Sequence, residues 1–219
     1  MAGGAGPAEA PSEVPRLRGR LHQIAAPLAA VGTLWLVRVS GDRRAAVASL
    51  VYGLSSVIVY LVSATYHVYV RSPRAKALLR RVDHAAIYLL IAGTFTPVCL
   101  KLVGPPWGGR VLSLVWTVAI LGATAKVAAF ERFRKWGFGL YLGLGWLGVL
   151  LLPAFVSRPM LLAGALIGGL LYTTGAILFA LRVPFRTAKW FGYHEFWHAV
   201  GVAAGVVFFL VNMAIVRGS

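Results

Sequence analysis

HEFWHAVGVAAGVVFFLVNMAIV, residues 194–216, is apolar over most of its length and carries two histidines four apart at its start. About 20 consecutive apolar residues are what a helix needs to cross a bilayer whose hydrocarbon is about 30 Å thick. Working outward from this stretch, runs of the same kind recur at 22–40, 46–70, 83–103, 110–130, 136–156 and 159–181, separated by short basic or Gly/Pro-containing connectors. The 219 residues are 59% hydrophobic with a mean hydropathy of +0.77, against about 45–50% apolar residues in soluble domains. The sequence therefore predicts an all-α membrane protein, a bundle of seven transmembrane helices over residues 21–219, preceded by a disordered cytoplasmic tail over 1–20. The first span is short, and Pro153 is expected to end or kink the fifth.

The net charge of +16 would suggest nucleic-acid binding in a soluble protein. In a membrane protein, basic residues on cytoplasmic connectors orient the helices and meet anionic headgroups, so no nucleic-acid partner is expected. Counting Lys and Arg on alternate sides of seven spans gives fifteen on the side of Arg18, Arg80 and Lys126, and seven on the side of Arg38, Lys101 and Arg158. That asymmetry places the N-terminus in the cytoplasm and the C-terminus outside. Cys99 is the single cysteine, which excludes an internal disulfide or a thiolate cluster. Small residues four apart (Gly139/Gly143, Gly164/Gly168, Gly201/Gly205) predict close helix packing.

Of six acidic residues, Glu9, Glu13, Asp42 and Glu131 fall in the tail or connectors, leaving Asp83 and Glu195 at the starts of spans. Ionisable groups there need a partner or a wet cavity. His67 ends span two, while His194 and His198 open span seven, so alternating direction brings all three, with Asp83, to similar depth near the cytoplasmic face. His194 and His198 share a helix face and can bind one metal ion. Three neutral imidazoles on Zn²⁺ leave a tetrahedral position open, as catalytic sites do, and acidify water bound there. Asp83 is then a candidate second-shell acceptor or general base, with a salt bridge to Arg80 or Arg81 as its structural alternative. Ser63, one turn before His67, is a candidate hydrogen-bond donor to the reacting group, or a helix back-bonder. Pro97 is expected to kink span three, with Thr94 and Thr96 re-satisfying the freed carbonyls. His22 and His84 read as interfacial rather than ligating. His194-Glu195-Phe196-Trp197-His198 also fits the H-E-x-x-H pattern of zinc proteases, with Asp83 as the further ligand; otherwise Glu195 faces Lys189 or Arg186.

These residues resemble a known family. Ser63-Ala-Thr-Tyr-His67, Arg81-Val-Asp83-His84-Ala-Ala-Ile-Tyr88, Gly93-Thr-Phe-Thr-Pro97, Gly145-Trp146, Tyr172-Thr-Thr-Gly175 and the 194–198 stretch are similar to the bacterial hemolysin III family. That family is related to the progestin and adipoQ receptors and, distantly, to alkaline ceramidases. The resemblance implies seven helices in the bacterial inner (plasma) membrane and zinc on His67, His194 and His198, with Ser63 and Asp83 as accompanying polar residues. It further implies hydrolysis of a lipid amide or acyl-lipid substrate, taken from the surrounding membrane lipids. Two alternatives stand beside this: a pore-forming, cytolytic protein, and a lipid-sensing receptor whose zinc is structural.

Overall fold

A chain surrounded by hydrocarbon must satisfy its backbone hydrogen bonds within itself, which leaves the helix as the local solution for long apolar segments. The computed structural model describes residues 15–133, 136–185 and 189–218, and among these there is no strand. Seven α-helices follow in order: α1 Arg20–Val39, α2 Arg43–Ala64, α3 Pro73–Pro97, α4 Trp107–Ala128, α5 Gly137–Trp146, α6 Pro159–Leu181 and α7 Tyr193–Arg217. Three of them run on into altered turns: α2 into a π-helical turn at Thr65–Tyr69, α3 into another at Val98–Val103, and α5 into a 3₁₀ stretch at Leu147–Ala154.

Six helical segments, those of α2 to α7, are long and apolar enough to cross a membrane. The first helix is not among them; Arg20, His22, Gln23, Pro27 and Arg38 lower its hydropathy. The third helix begins ten residues before its expected span, because Pro73 opens it at its first turn and a charged run ends an apolar stretch without ending a helix. Asp83 and His84 consequently lie well inside α3. Pro153 falls within the 3₁₀ stretch that tightens the end of α5. At Pro97 the threonines act differently from expectation: Thr94 and Thr96 donate to the Leu90 and Ala92 carbonyls, whereas the carbonyl deprived of its donor by Pro97 is that of Gly93.

Helices adjacent in sequence pack on one another, and α7 returns against α1, α2, α3 and α6. Gly164 and Gly168 admit Val211 and Phe208 of α7, and Gly205 admits Tyr60 of α2, while Gly139, Gly143 and Gly201 face open space. The largest apolar cluster joins Tyr88 and Phe95 of α3 and Cys99 of the turn after it to Val111, Val115 and Ala119 of α4, with residues of the α5 region and the far end of α7. Residues 1–14 of the expected tail lie outside the described residues, as do Arg134, Lys135 and Arg186 of the charge count. Pro15–Gly19 form turns whose Arg16 and Leu17 amides donate to the Lys189 and Trp190 carbonyls at 3.1 and 3.2 Å.

Candidate metal centre

Three elements deliver the histidines. His67 comes from the π-helical turn, where the Val70 amide reaches back five residues to the Thr65 carbonyl at 3.2 Å. Such turns recur at functional sites because they re-aim one side chain within an otherwise regular helix. His194 and His198 come from the first two turns of α7. Their ring centroids lie 4.7 Å apart, and that of His67 lies 4.7 Å from His194 and 5.2 Å from His198.

One nitrogen from each of the three lies within 4.8 Å of the others. The Nε2 atoms of His67 and His194 are 3.2 Å apart, close to the roughly 3.4 Å that separates nitrogens on a tetrahedral ion bound at about 2.0–2.1 Å. The Nε2 of His198 is buried and has no hydrogen-bond partner. A buried polar atom in that condition carries a cost that a bound ion removes. The three rings therefore fit a single metal ion, and the expected ligand set is the set the fold brings together.

Ser63 lies one turn before His67 and beside Asp83 of α3, His84 follows Asp83, and an unexpected histidine, His22, contacts the triad. The Ser63 hydroxyl is buried without a hydrogen bond of its own, next to the Asp83 carboxyl. Asp83 forms no salt bridge with its basic neighbours: Arg80 pairs with Glu131 at 2.9 Å, and Arg81 donates to the Val127 carbonyl at 3.3 Å. His84 Nδ1 lies 3.9 Å from Asp83 and 2.8 Å from the Arg80 carbonyl, outside the triad. His22 is 8% exposed, buried rather than interfacial. His198 Nδ1 stands 2.9 and 3.0 Å from its two ring nitrogens. A histidine that ligates through Nε2 carries its proton on Nδ1 and needs an acceptor for it; His22 occupies that place. The depth argument that collected the other histidines applied equally to His22, at the inner end of the first span.

Glu195 is 1% exposed and points away from the protease assignment. From the third position of α7 its Oε2 accepts from the amide of the N-cap residue Gly192 at 2.8 Å, and its Oε1 accepts from Arg18 Nε. The expected partners were Lys189 or Arg186; the observed one is Arg18, in the turns before α1. Through that pair the N-terminal turns are tied to the start of α7, and Arg18 lies within electrostatic reach of all three triad imidazoles. The third histidine of the cluster is His67, and Asp83 is not among the grouped ligand atoms. The H-E-x-x-H pattern thus supplies two of the three grouped imidazoles and a helix cap.

The family described as haemolysin-III related matches residues 12–209. Hemolysin-3 of Bacillus cereus is 38% identical over 157 residues, covering 68% of this chain and 69% of that protein. The Hemolysin-3 homolog of Bacillus subtilis (strain 168) is 33% identical over 150 residues, covering 65% and 68%. The human Monocyte to macrophage differentiation factor is 26% identical over 194 residues, covering 84% and 76%.

Proposed function

The chain belongs to the haemolysin-III related family, and from that premise we propose that it is a zinc-dependent intramembrane hydrolase of a lipid amide or related acyl lipid. The observation that carries this reading is the buried, unpartnered Nε2 of His198 facing the imidazoles of His67 and His194. Zinc held by these three would polarise an acyl carbonyl and acidify water at its open position. Asp83 would serve as the proton acceptor during cleavage and would return that proton to the leaving nitrogen. Ser63, with an unspent hydroxyl beside Asp83, donates a hydrogen bond to the oxygen on which charge develops. His22 holds the proton-bearing face of His198, and Arg18 keeps Glu195 away from the reacting groups.

The acyl chain has a place to lie. A groove of about 430 Å³ between α2, α3 and α4 is lined by Ile58, Val82, Ala85, Ala86, Thr124 and Val127, flanking Asp83 on its helix. In this reading all seven helices span the inner membrane, with the N-terminus and the triad at the cytoplasmic face. The apolar face of α1, with Ile24, Leu28, Val31, Leu34 and Trp35 all more than half exposed, then meets lipid.

The test is zinc content together with cleavage of a panel of N-acyl lipids by purified protein. The parent should hold one zinc and cleave at least one lipid class, His198→Ala should lose both, and Asp83→Asn should keep zinc while turnover falls by about 10²–10⁴. Zinc in the parent with no lipid cleaved would replace catalysis by a structural ion in a lipid sensor. A parent without zinc would remove the reading altogether.

A further inference from the structure

The helix that ends at His67 carries a second pattern along its whole length. Ser49, Tyr52, Ser56, Tyr60, Ser63 and His67 follow one another at intervals of three or four residues, which places them on one face of α2. The first five are all buried, from 0% exposed at Ser49 to 8% at Ser56 and Tyr60. From Ser49 to His67 the helix rises about 27 Å, close to the whole hydrocarbon thickness of about 30 Å. The opposite wall is α7, where His198, Gly205 and Asn212 recur at intervals of seven and so share a face.

The two faces meet in mid-bundle. Tyr52 donates to the Gly205 carbonyl at 3.3 Å, and the Tyr60 hydroxyl lies against the Gly205 Cα, where a side chain would have to be. At the histidine end, the Tyr60 ring centroid is 5.0 Å from that of His22. At the other end, Ser49 Oγ is 2.9 Å from Ser40 Oγ, beside the exposed bend at Gly41 and Asp42. Hydroxyls of this kind are often spent on their own helix, and Ser55 and Ser56 do donate to the Tyr52 carbonyl at 2.7 and 3.1 Å.

Asn212 has no such outlet. It is 0% exposed, its neighbour is the Tyr52 hydroxyl, and neither its amide nitrogen nor its carbonyl oxygen is hydrogen-bonded. A primary amide at this depth can neither reach bulk water nor back-bond to its helix as a serine does. Polar side chains turned into a membrane bundle with unmade hydrogen bonds mark a water-holding cavity or path.

We infer that the facing stripes of α2 and α7 enclose a file of water molecules that runs from the Ser40–Ser49 end to the histidine cluster, with Asn212 and Tyr52 as its central polar supports. The Ser63 hydroxyl and the Asn212 carboxamide have donors and acceptors to spare, and the Tyr52 and Ser56 hydroxyls, whose protons go to backbone carbonyls, still accept, so a single file of water passes between them without a charged group in its middle portion. This links the cluster to water on the far side of the membrane, and it does not depend on which metal the histidines bind.

Hydroxyl-radical footprinting of the full chain in proteoliposomes tests it, because radicals generated from bound water mark the side chains that touch that water. Tyr52 and Tyr60 should label several-fold faster than Tyr88 and Phe95, which are equally buried in the apolar cluster. Asn212→Leu, and separately Tyr52→Phe, should bring the surviving tyrosines of the file down to the rate of Tyr88. Parent labelling of Tyr52 and Tyr60 no faster than Tyr88 would overturn the inference. So would an Asn212→Leu protein in which Tyr60 still labels at the parent rate, since the file would then be two separate pockets.

Discussion

The side of the bundle made by α1, α2 and α7 and the side made by α3, α4 and the α5 region bury different chemistry. Of the eleven buried polar or charged residues described, nine lie on α1, α2 and α7, and the other two are Thr96 and Lys126. The α3–α4 side instead buries Phe95, Val98, Cys99, Val111 and Val115. In lipid, apolar side chains gain little from leaving their surroundings, so this second side contributes by close packing. Polar groups on the first side have no such neutral alternative, because each must be paired, wetted or bound to an ion. Asp83, which α3 contributes to the proposed site, is the exception; otherwise close packing and site chemistry fall on different sides of one small bundle and should be separable by mutation.

The sharpest separation uses His198→Ala against Phe95→Ala. His198→Ala should abolish metal binding outright while the helical content stays, as elemental analysis and circular dichroism would show. Phe95→Ala leaves a cavity in the α3–α4 packing and should lower stability by about 3 kcal/mol with metal content unchanged. If Phe95→Ala instead released the metal, the two sides would be one cooperative unit and the comparison would fail.

A gentler probe is His22→Phe, which keeps a ring against Tyr60 and removes the nitrogens facing His198 Nδ1. Losing the group that orients a ligand lowers metal affinity by about 10–100-fold, measurable by competition with a chelator of known affinity. An affinity equal to the parent's would make His22 a packing residue and move the edge of the functional side inward to His198.

Much of this arrangement was legible in the sequence. All seven expected spans coincide within a few residues with helical segments, except at the start of α3, and common depth gathers His67, His194 and His198 together with Asp83, which is not among the grouped ligand atoms. The remainder was hidden for particular reasons. The π-helical turn at His67 has no composition of its own. Asp83 looked like a span start because Arg74–Arg81 interrupts hydropathy, yet charge at a membrane surface does not interrupt a helix. Glu195 fits a pattern shared with zinc proteases, but a glutamate at the third position of a helix also caps it, and the Arg18 turns that claim its other oxygen are remote in sequence. The hydroxyl stripe of α2 was visible at three- and four-residue spacing, submerged among the Val, Leu and Ile that make the same helix apolar on average.

The smallest effect is expected where the two sides meet at the far end from the histidines. Asp42 caps α2 through the Ala45 amide at 2.8 Å and pairs with Lys101, at the end of the altered turn after α3. The hydrogen bond from Lys101, reinforced by that from the Ala45 amide, holds the Asp42 carboxyl below its ordinary value. A carboxylate lowered in the folded state contributes stability above its unfolded pKa and loses that contribution as pH falls through the folded one. The Asp42 side chain is 50% exposed, so water and salt screen the pair and its contribution is slight. Asp42→Asn should therefore leave thermal unfolding at neutral pH nearly unchanged and remove only a small acid-side loss, below about pH 4. A neutral-pH loss as large as that of Phe95→Ala would mean that this joint, and not the apolar packing, holds the two sides together.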